Sequence, residues 1–181
     1  MKHLATSLAL VLAGMTACIE PCAAETADFF YSAGLSRQQS GELKEAVRLY
    51  TKAIESDGRY VMAFQMRATA WQMLRQFPKA IDDYSMVINL GDTNFQAVAY
   101  LNRGIVKNMA GRYLEAIPDF SMAISIDKRM GDAYFHRGIA RSKSGDTAGN
   151  IADFIQAAKL GDTDAERWLD TVMPGWKQAP K

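Results

Sequence analysis

The feature that most constrains this chain is a self-similarity with a period near 34 residues. Gly34, Ala68, Gly104 and Gly138 form one series, separated by 34, 36 and 34 residues. Phe30, Phe64, Tyr100 and Tyr134 keep that spacing, as do Ala46, Ala80, Ala116 and Asn150, and Tyr50, Tyr84, Phe120 and Phe154. Within each unit the apolar residues recur at helical spacing on both sides of a short break, Ser40-Gly41 in the first unit and Gly111 in the third. Each unit therefore reads as two amphipathic helices. A helix pair of this size cannot bury its apolar face alone, so successive pairs must stack. The expected fold is an all-α solenoid of four helix pairs plus a C-terminal capping helix.

The period divides the chain into repeats over residues 27–60, 61–94, 97–130 and 131–164, with a capping helix over 164–173 and a flexible tail over 174–181. Small residues such as Gly104 and Ala116 belong where the two helices of a pair approach closely, and Tyr100 and Phe120 between successive pairs. Asp57-Gly58 and Leu90-Gly91 read as glycine stops, the first with a left-handed glycine cap. Thr93 to Gln96 and Thr163 to Glu166 match the capping-box pattern. Pro118 falls inside a predicted helix and predicts a slight bend.

Composition narrows the function classes. The chain is 49% hydrophobic and 23% charged, with a net charge of +1 and a pI near 7.7. That balance argues against nucleic acid, which needs a basic face. No run of like charge suggests a membrane-surface patch. Residues 1–24 read as a signal peptide. Lys2 and His3 precede an apolar run from Leu4 to Ala17, and Ala23-Ala24 supply small residues before a cleavage at Glu25. The run is shorter than the roughly 20 residues of a membrane span. Expected is a secreted, periplasmic protein with no transmembrane segment in the mature chain. Met15-Thr16-Ala17-Cys18 offers an alternative, a lipobox that would leave the protein lipid-anchored through Cys18.

The four series resemble the tetratricopeptide repeat (TPR) family over residues 27–164, in a branch like the secreted bacterial members. The resemblance rests on an aromatic at repeat position 4, glycine at 8, alanine at 20, an aromatic at 24 and alanine at 27. Departures are plain. The usual proline near the end of each repeat is replaced by Gly58, Asp92, Lys128 and Asp162, and position 11 holds Arg37, Trp71, Lys107 and Arg141, where only Trp71 is aromatic. The Leu-Gly-Asp-Thr stops also resemble Sel1-like repeats.

The resemblance implies that the all-α solenoid of four helix pairs and a C-terminal capping helix is a right-handed superhelix, with a concave groove lined by the first helix of each repeat. Its partner-binding residues here would be Tyr31, Leu35, Met62, Gln65, Thr69, Met73, Val98, Leu101, Ile105, Asn108, Met109, Phe135 and Ile139. Chaperone-binding members clamp a peptide carboxylate with lysine and asparagine on this face. Tyr31 and Leu35 stand where the first lysine and asparagine would be, and Val98 where a later lysine would be, so that clamp is absent. What is left is an apolar, amide-dotted strip suited to an amphipathic helix or extended hydrophobic peptide. The implied function is non-catalytic protein–protein interaction in the cell envelope, with a homo-oligomeric scaffold as the alternative.

Chemistry-bearing residues are few. Arg67, Arg103 and Arg137 occur only in repeats that carry Asp83, Asp119 and Asp153 sixteen residues later, while repeat one has Ala33 and Leu49. Bidentate bridges between the helices of a pair explain that joint presence better than a row of anion-binding arginines. Met62 and Met66, one turn apart, read as packing rather than as thioether ligands for copper. His136, expected to be exposed or lightly packed, has no nucleophile or second base within its sequence neighbourhood. Neither a metal nor a cofactor is expected.

Overall fold

The computed structural model describes residues 26–178 of the chain. The expected signal peptide, including Cys18 and Cys22, lies outside the described residues. Nine α-helices follow among the described residues: α1 (Ala27–Gln39), α2 (Leu43–Ser56), α3 (Val61–Met73), α4 (Phe77–Leu90), α5 (Thr93–Met109), α6 (Tyr113–Ile126), α7 (Gly131–Ser144), α8 (Thr147–Lys159) and α9 (Thr163–Val172). They pack as sequential antiparallel pairs, α1 on α2 through α7 on α8, and each second helix touches the next first helix. First helices also meet, α1 with α3 and α5 with α7.

The turn inside each pair has one geometry. Gly41, Arg75, Gly111 and Gly145 are left-handed, with φ of 79°, 57°, 75° and 90°. The following amide reaches back to the carbonyl five residues earlier: Glu42 to Arg37, Gln76 to Trp71, Arg112 to Lys107 and Asp146 to Arg141, at 2.8–2.9 Å. The left-handed residue itself donates to Gln38, Gln72, Asn108 or Ser142. This Schellman arrangement satisfies carbonyls that a helix end would otherwise leave open. Glycine fills three of the four positions because a Cβ is disfavoured there, and Arg75 is the exception.

The turns between repeats work differently, apart from the one after α8, where Gly161 is left-handed and Asp162 reaches back to Ala157 in the same way. Gly58 is not left-handed; α2 ends on an extended Asp57, whose carboxylate accepts the Arg59 amide at 2.9 Å. Asp127 repeats this arrangement with Arg129. At the two Leu-Gly-Asp-Thr stops the cap is the aspartate, not the threonine. Asp92 accepts from the amides of Asn94 and Phe95, and Asp162 from that of Ala165. Gln96 does not complete a capping box, since its amide donates to the carbonyls of Ile88 and Gly91. The aspartate precedes the position that the threonine pattern selects, and as an anion it suits the helix N-terminus better. Helix α6 continues through Pro118 without interruption.

The core is a file of aromatic rings lying on small residues. A Cβ on Gly34 would sit 2.6 Å from Tyr50, on Gly104 2.7 Å from Phe120, and on Gly138 2.9 Å from Phe154. Position 8 is therefore small to admit the position-24 ring of its own repeat, which places Phe120 within its pair before it reaches the next. In repeat two, Ala68 and Tyr84 fill the same places, both buried. Position 3 is also alanine where a preceding second helix crosses it, at Ala63, Ala99 and Ala133, all fully buried or nearly so. Helix α9 covers the last repeat through Leu169 and Trp168, whose ring stands 4.6 Å from that of Phe154. Trp176–Gln178 form a 3-10 turn after α9. Trp176 joins that cluster and donates to Asp170 at 2.9 Å, and Lys177 pairs with Glu166.

Candidate functional site: the first-helix face

The first helices present repeat positions 2, 5, 9, 12 and 13 toward the proposed groove, and the structure divides them into three kinds. Positions 5 and 9 belong to the packing between repeats. Tyr31 lies 6.0 Å from the Tyr50 ring and 5.2 Å from that of Tyr60, and Leu35 packs on the Val47–Tyr50 cluster. Leu101 is only 9% exposed and sits in the cluster with Phe120 and Ile124, with Ile105 beside it. Phe135 meets Phe154 at 5.6 Å, and Ile139 lies in the same cluster. Thr69 hydrogen-bonds the Gln65 carbonyl and the Tyr84 hydroxyl. Leu101 is thus a core residue rather than an open groove residue, because a superhelix this tightly stacked brings facing first helices into contact.

The exposed apolar residues lie at positions 2 and 13 instead. Met62 and Val98 share one position, Met73 and Met109 the other, and Met73 is the most open at 56%. Eleven residues of helix separate the two positions, about 16 Å at 1.5 Å per residue. The groove thus offers two apolar margins with a packed floor between them. A cavity of about 200 Å³ opens at the first margin between Gln65, Asn94, Phe95 and Val98.

Position 12 supplies the amides that the sequence placed in the groove without assigning them work. Gln38 accepts from the Tyr50 hydroxyl at 2.9 Å. Gln72 lies 3.4 Å from the Tyr84 hydroxyl and donates to the Met109 sulfur at 3.5 Å. Asn108 donates to the His136 carbonyl at 3.1 Å. Gln72 and Asn108 therefore bridge to the next repeat, while Gln38 closes onto the ring of its own repeat.

Burial sets the titration of this face. Desolvation pushes Tyr50 up to about 12, helped by the neighbouring Tyr31, and raises Tyr31 and Tyr84 as well. Tyr60 is likewise pushed to about 12, chiefly by burial and then by its hydrogen bond to the Asp28 carboxylate. His136 is more deeply packed than its sequence suggests. Its ring stacks on Phe120 at 6.0 Å and meets Phe135 edge-on, and burial lowers its pKa despite the carboxylates of Asp132 and Asp162.

The arginine–aspartate series is structural. Arg67, Arg103 and Arg137 each hold their aspartate through two nitrogens at 2.7–3.0 Å. The third nitrogen of each donates to a hydroxyl of the preceding repeat, on Thr51, Ser85 or Ser121, at 2.9–3.0 Å. Each cluster ties three helices together and faces no open surface. Lys107 and Arg141 add a second cation to Asp119 and Asp153 at 2.7 Å, which explains why position 11 departs from an aromatic there. The signal was present in the sequence as a cation twelve residues before the aspartate in repeats three and four. No group of three or more metal-ligating side chains comes together among the described residues.

Comparison with known proteins agrees with this architecture. Residues of this chain are 30% identical over 132 positions to the human mitochondrial import receptor subunit TOM70, covering 71% of the chain and 22% of that protein. Human tetratricopeptide repeat protein 6 matches at 32% over 107 residues, 59% of the chain and 20% of that protein. The chain is a tetratricopeptide-repeat protein. No family model matches it. It spans about a fifth of the length of these curated relatives. Among solved structures, the TPR protein MamA superposes with a TM-score of 0.71 at 21% identity, over 77% of this chain and 76% of MamA. The TPR domain of Arabidopsis OM64 gives 0.59 at 26% identity, over 64% of this chain and 94% of that domain. TPR proteins of this kind are non-catalytic modules for protein–protein interaction, and the present chain shares their stack of antiparallel pairs.

Proposed function

We propose that the first-helix face of this TPR module binds an apolar segment of a protein partner along its two margins. The observation that carries the reading is the recurrence of exposed apolar residues at the same two register positions of adjacent repeats, Met62 and Val98 at one and Met73 and Met109 at the other. Methionine suits such a surface because its unbranched, polarisable side chain adapts to more than one contact geometry. The packed floor contributes shape, not contact area. The protein acts outside the cytoplasm, a reading supported by the Leu4 to Ala17 apolar run and the small residues before Glu25.

A photo-crosslinking amino acid placed at position 73 or 109 should trap a partner in cell-envelope extracts, and the same group at Met122, exposed on a second helix, should not. Equal trapping from all three positions would refute binding on the first-helix face. The mature N-terminus, read by mass spectrometry, should be Glu25; a lipid-modified Cys18 would replace soluble export with anchoring.

A further inference from the structure

The crevice that side-chain amides bridge in repeats two and three stands open in repeat four. There Ser142 occupies position 12, and its hydroxyl is too short to bridge to the next layer. The ring beneath is Phe154, which lacks the hydroxyl of Tyr50 and Tyr84. Helix α9 ends at Val172, after ten residues, whereas α5 runs for seventeen. The result is a cavity of about 230 Å³ walled by Phe135, Ile139, Phe154 and Trp168, with Ser142, Lys143 and Asp164 at its rim.

The rim carries one carboxylate that is already paired and one cation that is not. Asp164 bonds Arg167 at 2.8 Å, and Asp146, three residues beyond Lys143, faces Arg141 at 3.5 Å. Lys143 has no carboxylate within ion-pair distance among the described residues, and it is exposed. An apolar, aromatic-walled hole beside an uncompensated ammonium selects a particular chemistry. A large apolar side chain fills the hole, and a carboxylate beside it meets the lysine.

The geometry points to this cavity as the anchoring subsite of the groove, taking a phenylalanine or leucine side chain of a partner peptide that carries an aspartate or glutamate next to it. The inference rests on the groove-binding reading and adds to it the sequence character of the partner. The carboxylate is a side chain rather than a free C-terminus, since a peptide running along the groove margins continues past this cavity toward repeats three and two.

The test is selection of a phage-displayed random dodecapeptide library, with no free peptide C-terminus, on the immobilised full chain. Enriched peptides should share a phenylalanine or leucine flanked by aspartate or glutamate. A synthetic capped peptide of that consensus should lose affinity about tenfold when its acidic residue is changed to lysine, the size expected for a partly desolvated charge pair. Lys143→Glu, a surface change whose fold is checked by circular dichroism, should reverse that preference toward lysine-flanked peptides. Met73→Lys with Met109→Lys should weaken all peptides equally. A consensus without the acidic residue, or one that Lys143→Glu leaves unchanged while the methionine variants abolish binding, overturns the subsite and leaves the groove. Failure to enrich any peptide overturns the groove reading together with the subsite.

Discussion

Neutralising Asp119 tests the internal clusters most directly, because repeat two supplies a control within the same molecule. The Asp119 side chain is 5% exposed and faces two cations, Arg103 through nitrogens at 3.0 and 2.7 Å and Lys107 at 2.7 Å. Asp119→Asn keeps the shape and removes the charge, so two largely buried cations are left facing a neutral amide. Breaking a buried ion pair from one side costs about 3–5 kcal/mol. Asp83 faces Arg67 alone, since Trp71 stands where Lys107 stands in repeat three, and Arg67 keeps its bond to Thr51. Asp83→Asn strands one largely buried cation rather than two, so it should cost less, near the lower end of that range at about 3 kcal/mol. In a domain of this length 1 kcal/mol moves the melting midpoint by about 2–4 °C, which makes the difference measurable. Urea titrations followed by circular dichroism give both the midpoint and the slope, and an unchanged slope shows that the stack still unfolds as one unit. Adding Lys107→Met to Asp119→Asn should recover about 1 kcal/mol or more by removing the second stranded charge. Equal losses at Asp83 and Asp119, or no recovery in the double variant, would refute the two-cation account.

Two further expectations follow from single residues. Arg75 is the non-glycine member of the left-handed turn series, with φ at 57°. Arg75→Gly should stabilise by about 1 kcal/mol and raise the melting temperature, offset slightly by loss of the contact with Phe77; a lower melting temperature would contradict the strain. His136 has its pKa lowered from 6.5 in the folded state by burial. Its contribution is complete above pH 6.5 and falls as the pH drops below that value, because the unfolded chain takes up the proton first. The wild type should thus lose more stability between pH 7.5 and 5 than His136→Phe does, and parallel pH profiles would rule this out.

The floor of the groove decides which variants report on binding. Leu101→Asp would bury a carboxylate beside Phe120 and Ile124, so it should unfold the stack rather than block a partner. Substitutions at Met73 and Met109 reach open surface and leave the core intact.

Much of the architecture was legible in the linear chain. Small residues at 34, 68, 104 and 138 and rings at 50, 84, 120 and 154 mark the repeat in the chain, but that the ring lies first against the small residue of its own pair, rather than between pairs, came from the structure. The arginines at 67, 103 and 137 announced their aspartates, because charge of either sign is too costly to bury alone. The caps were misread where the threonine pattern obscured the aspartate before it. His136 was misread because its burial comes from Phe120, sixteen residues upstream.

What the sequence determined by itself is the unit and the charge pairs inside it, since these are set by residues at fixed separations on two adjoining helices. Which positions of the first helices face solvent depends on how closely successive pairs stack, a quantity no single repeat contains. That stacking buried Leu101, left Met73 and Met109 open, and exposed the cavity beside Lys143 where α9 is too short to close it. The physical reason is that burial is a property of neighbours in space, and in a solenoid the deciding neighbour belongs to the next repeat.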